Sequence, residues 1–391
     1  MSGGTHGVYM DYQASTPLDP RVFAVMRPFF EGAAGLGNPH AADHAYGWDA
    51  DAAINRARDQ VATLIGADSD EVIFTSGATE ANNLALLGAM RGAPSSRREI
   101  VVSAIEHKCV LAVGRALMDD GFTLRVAPVL ADGTIDLGEL ARLIGQDTAI
   151  VSVMAVNNET GVAQPVTQVG ELCRAAGALF HSDAAQALAV KGIDVDRWNV
   201  DFLSLSAHKA YGPKGIGALY VRRERRPQLR SIMFGGGQED GLRPGTLPTP
   251  LCVGFGAACQ ILSDEREAEI ERTHCLRDRL LEQLRAAIPN LEVNGTLIGR
   301  HPGNLNIRVP GIDAELLLAA ARPKLAAATG SACTSGTTEP SHVLIAMGLS
   351  GTQAAESIRL SLGRLTREEE VTAAASVLAA AAEEVRESGQ L

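Results

Sequence analysis

The chain has 391 residues, 46% of them hydrophobic and only 4% aromatic, so a sizeable core can be built, mainly from aliphatic side chains and alanine. That length allows one large domain and a smaller one. A formal net charge of −11 argues against nucleic acid as a direct partner.

The start, Met1-Ser2-Gly3-Gly4-Thr5-His6, lacks the apolar region of a signal peptide, and no apolar run reaches membrane-spanning length. From about residue 71, short apolar runs alternate with helical segments. Val72-Ile73-Phe74 predicts a strand, and Thr79 to Met90 a helix. Ile100-Val101-Val102 predicts the next strand, before a helix that begins near Lys108. Ala149 to Val153, a helix over 166–176, and a strand from Ala178 that ends at Asp183 follow. Phe202-Leu203-Ser204-Leu205 and Gly217 to Val221 complete the series, and Arg222-Arg223-Glu224-Arg225-Arg226 reads as a solvated loop behind it. Strands that alternate with crossover helices imply a largely parallel sheet covered on both faces.

Beyond Pro250 a long helical stretch reaches roughly Ile288, and its Cys252, Cys259 and His274-Cys275 are expected in the core. A smaller α+β unit follows, with strands at 305–309 and 324–328 around a helix at 314–320. Thr366 and Glu369, in capping-box spacing, open a closing helix that reaches Ser388. The expected class is α/β: a large domain over 15–255, and a small α+β domain made of 1–14 and 256–391. The six cysteines (109, 173, 252, 259, 275, 333) include no C-x-x-C pair, which argues against a disulfide framework or metal site and fits a reducing cytoplasm.

Polar residues suited to chemistry fall at the carboxyl ends of the strands, where open parallel sheets bind ligands. Thr75-Ser76-Gly77-Ala78-Thr79 opens a helix whose N–H groups and dipole suit a phosphate dianion; read as plain caps, they would only start the helix. His107 can lie over a flat aromatic ring, and Asn157-Asn158 can bind a phenolic oxygen or a carboxylate. Asp183 can pair with a protonated pyridine nitrogen, with Gln186 near the ring oxygen. Lys209, between Ser206-Ala207-His208 and Tyr211, is a competent Schiff-base amine if partly withdrawn from water. Gly212-Pro213-Lys214-Gly215-Ile216-Gly217 has neither the spacing of a nucleotide P-loop nor a helix after it. Finally, Cys333 stands in a small polar stretch, Thr329 to Glu339. An amine that forms a Schiff base and a thiol that can receive an atom point together to pyridoxal phosphate chemistry ending on sulfur.

Several motifs resemble those of the cysteine desulfurase family, IscS/NifS branch, among fold-type I, class V pyridoxal-phosphate enzymes. They are Thr75-Ser76-Gly77-Ala78-Thr79-Glu80, Val156-Asn157-Asn158-Glu159, His181-Ser182-Asp183-Ala184-Ala185-Gln186 and His208-Lys209-x-Tyr211-Gly212-Pro213-Lys214-Gly215. Gly235-Gly236-Gly237-Gln238-Glu239 and Gly330-Ser331-Ala332-Cys333-Thr334-Ser335 add to them. The similarity runs from Tyr9-Met10-Asp11 to Gly363-Arg364, almost the whole chain.

The resemblance implies a homodimer that converts L-cysteine to L-alanine and leaves a persulfide on Cys333. That sulfur would pass to an acceptor protein, in iron–sulfur cluster assembly or nucleic-acid thio-modification. Position by position, it implies that Lys209 holds pyridoxal 5'-phosphate and moves the Cα proton, and that His107 stacks on the ring. Asp183 would meet the pyridinium nitrogen, Gln186 the ring hydroxyl, and Ala78, Thr79, Ser206 and His208 the phosphate. Thr246 would reach the partner subunit's phosphate, and Asn158 and Arg359 the substrate carboxylate. No metal is implied.

The segment over about 329–339 is expected to be a mobile arm for Cys333. Cys109, where family members often carry alanine, is expected to be an inert packed thiol. The chain stops at Leu391, short of the tail by which housekeeping members dock their scaffold, so a dedicated acceptor is expected. A class V aminotransferase or lyase would share Lys209 and Asp183 without needing Cys333. A sulfur-relay scaffold that had lost its chemistry would need none of Lys209, Asp183, His107 and Cys333 together.

Overall fold

The computed structural model describes residues 7–190, 192–329 and 340–389. The chain enters through a short strand, β1 (Val8–Tyr9), and helices α1 (Pro20–Met26) and α2 (Ala45–Ile65). The alternating part then reads β2 (Val72–Thr75), α3 (Ala78–Gly92), β3 (Glu99–Ser103), α4 (Lys108–Asp119), β4 (Thr123–Ala127), α5 (Leu137–Leu143), β5 (Thr148–Ser152), α6 (Val166–Ala176), β6 (Leu179–Asp183), β7 (Phe202–Ser206) and β8 (Gly217–Val221).

These strands form a seven-stranded sheet in the order β2-β8-β7-β6-β5-β3-β4. β8 runs antiparallel to both neighbours, and the other pairings are parallel. Strand periodicity explains why near-continuous apolar runs were needed. Phe74, Val101, Val151, Leu203 and Tyr220 enter one hydrophobic core, while Ile73, Ile100, Ile150, Phe202 and Leu219 enter a second core. β4 and α5 were not read from the sequence. β4 is an edge strand whose Thr123-Leu124-Arg125-Val126 lies largely at the surface, so it carries no apolar run.

The rest of the chain adds α7 (Thr249–Ala287), β9 (Glu292–Val293), β10 (Asn304–Arg308), α8 (Ala314–Ala321), β11 (Leu325–Ala326), β12 (Ala328–Thr329), α9 (His342–Ala346), α10 (Gly351–Ala355), β13 (Ser357–Ser361) and α11 (Glu368–Glu387). A four-stranded antiparallel sheet, β12-β13-β10-β9, packs with α8, α11 and the second half of α7 around its own core. The strand expected over 324–328 is two pieces: Leu325–Ala326 pairs with β1, and Ala328–Thr329 pairs with β13. Met10 enters this core, beside the pairing of β1 with β11. α7 serves both units: Cys252, Phe255, Cys259 and Leu262 sit in the first, and Leu276, Leu280, Leu281 and Leu284 in the second.

Two expectations need correction. Cys252 and Cys259 are buried, but His274 and Cys275 are exposed. They lie on the face of α7 opposite the buried Leu276 and Leu280, and His274 pairs with Asp278 at 3.3 Å. The cap of α11 is one residue later than read: the Glu370 carboxylate accepts from the Arg367 N–H at 2.8 Å. Thr366 instead uses its hydroxyl to accept from the Gly363 N–H at 3.0 Å. Among the described residues, no helix is long and apolar enough to cross a membrane.

Candidate active site

A cavity of about 720 Å³ opens at the carboxyl ends of β6 and β7, bounded by the starts of α3 and α4 and by β13. On one side lies the turn from β2 into α3. Gly77 precedes the helix with φ of 153°, a conformation that side-chain-bearing residues rarely adopt. A Cβ on Gly217 would stand 2.7 Å from the Gly77 Cα, so β8 and this turn touch backbone to backbone. No side chain caps α3, which leaves its N-terminal N–H groups open beside the half-buried Ala78 and exposed Thr79. The turn is braced by Glu80, which accepts from the Ser76 N–H at 2.7 Å and from Arg243 at 2.8 Å. Burial alone would push the Glu80 carboxyl up, but these donors hold it below its ordinary value.

β7 ends at the buried Ser206 and passes into a single turn that carries His208 and Lys209. Lys209 Nζ donates to the main-chain carbonyls of Gln13 at 2.5 Å and Ala14 at 2.9 Å. His208 lies 3.3 Å from the Ser15 hydroxyl. Burial, with Lys209 and Lys214 beside it, lowers the His208 pKa to about 4, so its ring is neutral at physiological pH.

Asp183 ends β6. Its carboxylate accepts from Asn82 Nδ2 at 2.7 Å and from the Ala185 N–H at 2.9 Å. Gln186 donates to the Gln13 carbonyl at 2.9 Å. His107 caps α4, and its Nδ1 accepts from the Cys109 N–H at 3.2 Å. Cys109 is half-buried and packs against the second core, as a packed thiol would; from the first turn of α4 it also lines the cavity and lies 3.0 Å from His107 Nδ1.

Across the cavity, β13 presents Arg359. Its guanidinium donates to the Asn158 carbonyl at 2.8 Å and to Asp11 at 2.6 Å, and its buried Nε has no hydrogen-bond partner. Behind it Glu159 is buried and accepts from the Ser341 hydroxyl. Burial raises the Glu159 carboxyl from 4.5 to about 7. Because the folded value lies above the unfolded one, its stabilising contribution is full below pH 4.5 and is lost as pH rises through about 7. Glu159→Gln is therefore expected to gain stability relative to wild type as pH rises from about 5 to about 8. Thermal unfolding of both proteins across that range checks this, and parallel curves would refute it.

The structure thus brings Ala78, Thr79, His107, Asn158, Asp183, Gln186, Ser206, His208, Lys209 and Arg359 to the wall of one cavity. Thr246 is exposed and does not line it. Cys333 lies outside the described residues, as does most of the arm expected around it. Asp11, Gln13, Asn82 and Lys214 also reach the site and were not singled out from the sequence. Asn82 stands beside Asn83 in α3, and only its spacing of three and four residues to Ala85 and Leu86 marks it as the buried one of the pair. A second cavity, about 780 Å³, opens beside Arg58 and Glu239, away from the strand ends, and that pair satisfies its charges at 2.7 Å.

The class-V aminotransferase family matches residues 8–373. A "Cysteine desulfurase, mitochondrial" of Drosophila melanogaster is 47% identical over 384 residues, covering 98% of this chain and 82% of that protein. Among solved structures, a "NifS-like protein" superposes with a TM-score of 0.89 at 33% identity, covering 96% of this chain and 99% of the other. Another, described as "SspA in complex with cysteine", has a TM-score of 0.79 at 37% identity, covering 91% and 98%. Extent, identity and fold agree: the chain belongs to the class-V aminotransferase family, among its cysteine desulfurases.

Proposed function

We propose that this protein takes sulfur from L-cysteine, releases L-alanine and leaves a persulfide on Cys333, using pyridoxal 5'-phosphate held by Lys209. The observation that carries this reading is the convergence on one cavity of an amine, a carboxylate, a cap histidine and an open helix N-terminus, each from a different strand end. This donor set fits the cofactor. The glycine turn at Gly77 and Gly217 leaves room for a phosphate against α3, and Asp183 and Gln186 face where a ring edge would lie.

When bound, pyridoxal phosphate supplies an electron sink that acidifies the amino acid's Cα–H. Lys209 would hold the cofactor, give way to the amino group of the incoming amino acid and, once free, carry its Cα proton. Ala78, Thr79, Ser206 and neutral His208 offer hydrogen-bond donors to the phosphate, while Lys214 and the α3 dipole supply positive potential. Arg359, pinned by Asp11 and the Asn158 carbonyl, presents its guanidinium to the α-carboxylate. His107, whose Nδ1 is engaged at Cys109, carries its proton on Nε2 and hands it on near the substrate sulfur. The Cys333 thiolate forms an S–S bond to that sulfur as the Cβ–S bond breaks, and one proton, equal to the one the Cys333 thiol gave up, goes to Cβ to complete the alanine methyl.

The same reading makes the protein a cytoplasmic homodimer of a large and a small domain. The exposure of Thr246, outside the cavity of its own chain, supports its delivery to the partner's phosphate site. The sulfur then goes to an acceptor protein. The test is the absorbance spectrum of purified protein, followed by L-cysteine with a thiol reductant and assay of both products. A visible band from the imine-bound cofactor with equimolar alanine and sulfide is expected. A band with neither product would overturn the desulfurase reading in favour of another class V reaction.

A further inference from the structure

We infer that Asn82 is a positioning residue of the cofactor site, whose one carboxamide ties the group at the ring's edge, Asp183, to the group on its face, His107. The inference rests on the functional reading just given.

Asn82 is fully buried in α3, yet its side chain reaches the cavity wall. Its Nδ2 has two hydrogens and two acceptors: Asp183 Oδ2 at 2.7 Å and Cys109 Sγ at 3.2 Å. The partners fix the orientation of the amide, because a flipped group would set its oxygen against a carboxylate and a sulfur.

The next link follows from proton counting. His107 Nδ1 accepts the Cys109 backbone N–H, so it holds no hydrogen of its own. In the 3.0 Å contact between Nδ1 and Cys109 Sγ, the thiol is therefore the donor. The sulfur accepts once from Asn82 and donates once to His107, so the chain has a direction from amide to thiol to imidazole. It places the hydrogen of the neutral ring on Nε2. Cys109, the cavity-lining cysteine among the described residues, is thereby the coupler between Asn82 and the imidazole.

A plain packing role does not account for this arrangement. Asn82 Oδ1 is buried with no hydrogen-bond partner, a desolvation cost that an aliphatic side chain at the same place would avoid. The two donor bonds are what an aliphatic residue cannot supply. Without them, Asp183 keeps only the Ala185 N–H, and the thiol loses the donor that orients it toward His107.

The test compares Asn82→Ala, Asn82→Leu, Cys109→Ala, Cys109→Ser and the double variant Asn82→Ala/Cys109→Ala, with Asp183→Ala as control. Cofactor retention is read from the holoenzyme's absorbance on dilution, and the His107 tautomer from side-chain ¹⁵N shifts. Both Asn82 variants are expected to weaken cofactor retention about tenfold or more, as for a lost hydrogen bond to a charged group. Cys109→Ala should lose less and shift the His107 Nδ1 resonance, Cys109→Ser should restore it, and the double variant should fall short of additivity.

Retention within twofold of wild type in both Asn82 variants, beside a loss in Asp183→Ala, overturns the inference alone. Undiminished retention in Asp183→Ala overturns the reading of the site and the inference with it. If the Asn82 variants do not fold, the Cys109 pair decides: an unmoved His107 resonance in Cys109→Ala refutes the coupling.

Discussion

Replacing Lys209 with alanine should slow alanine formation from L-cysteine by about 10³-fold or more, because it removes both the attachment amine and the proton carrier. The fold should tolerate the change. Lys209 is half-buried on a turn, and the bonds from its Nζ to Gln13 and Ala14 end on main-chain carbonyls that the cavity's water can satisfy. A stability change of about 1 kcal/mol is expected from two such neutral acceptors exchanging partners. Lys209→Arg should not rescue activity, since a guanidinium stays protonated and cannot form the imine. Alanine release by chromatography and a thermal melt on the same samples check both halves. Retention of more than about a tenth of wild-type turnover would be incompatible with the role given to this lysine.

Cys333→Ser should keep the bound cofactor yet reduce persulfide formation by about 10²-fold or more, since a hydroxyl is a far weaker nucleophile than a thiolate. The other cysteines make the experiment clean. Cys173 and Cys259 are buried, and burial pushes both thiols well above their ordinary range. Burial pushes Cys252 up to about 12, so it is equally unreactive. Cys275 is exposed on α7, remote from the cavity wall. Only Cys109 shares the cavity among the described cysteines, so peptide mapping of the added sulfur has two sites to distinguish. Sulfur on Cys109 in the wild-type protein, or undiminished persulfide in Cys333→Ser, would end the assignment.

The strands of the main sheet were legible because both faces are covered. A run such as Val72-Ile73-Phe74 must be apolar throughout to feed two cores at once. The edge strand Thr123–Ala127 escaped because its residues mostly face water and leave no run to see. Cys275 was misplaced because its apolar neighbours Leu276 and Leu280 mark the other face of the same helix. Within the site, residues at strand ends were legible by position: Asp183 as the last residue of β6 and Lys209 just after β7. Contacts that depend on register were not. Asp11 meets Arg359 across 348 positions of sequence, and Asn82 meets Asp183 across 101. Nothing local in either segment announces its partner.

The long helix α7 acts as a ruler between two halves of the chemistry. No residue from Ser263 to Arg272 is buried, so this stretch connects Leu262 in one core to Leu276 in the other without packing into either. At the rise of an α-helix those fourteen steps amount to about 21 Å of stiff spacer. Lys209 comes from the unit at one end of that spacer and Arg359, on β13, from the unit at the other, so α7 is one of the links between the two walls of the site. A helix-breaking proline at Glu267, an exposed position that lines no wall of the cavity, would disturb that link without touching a residue of the site.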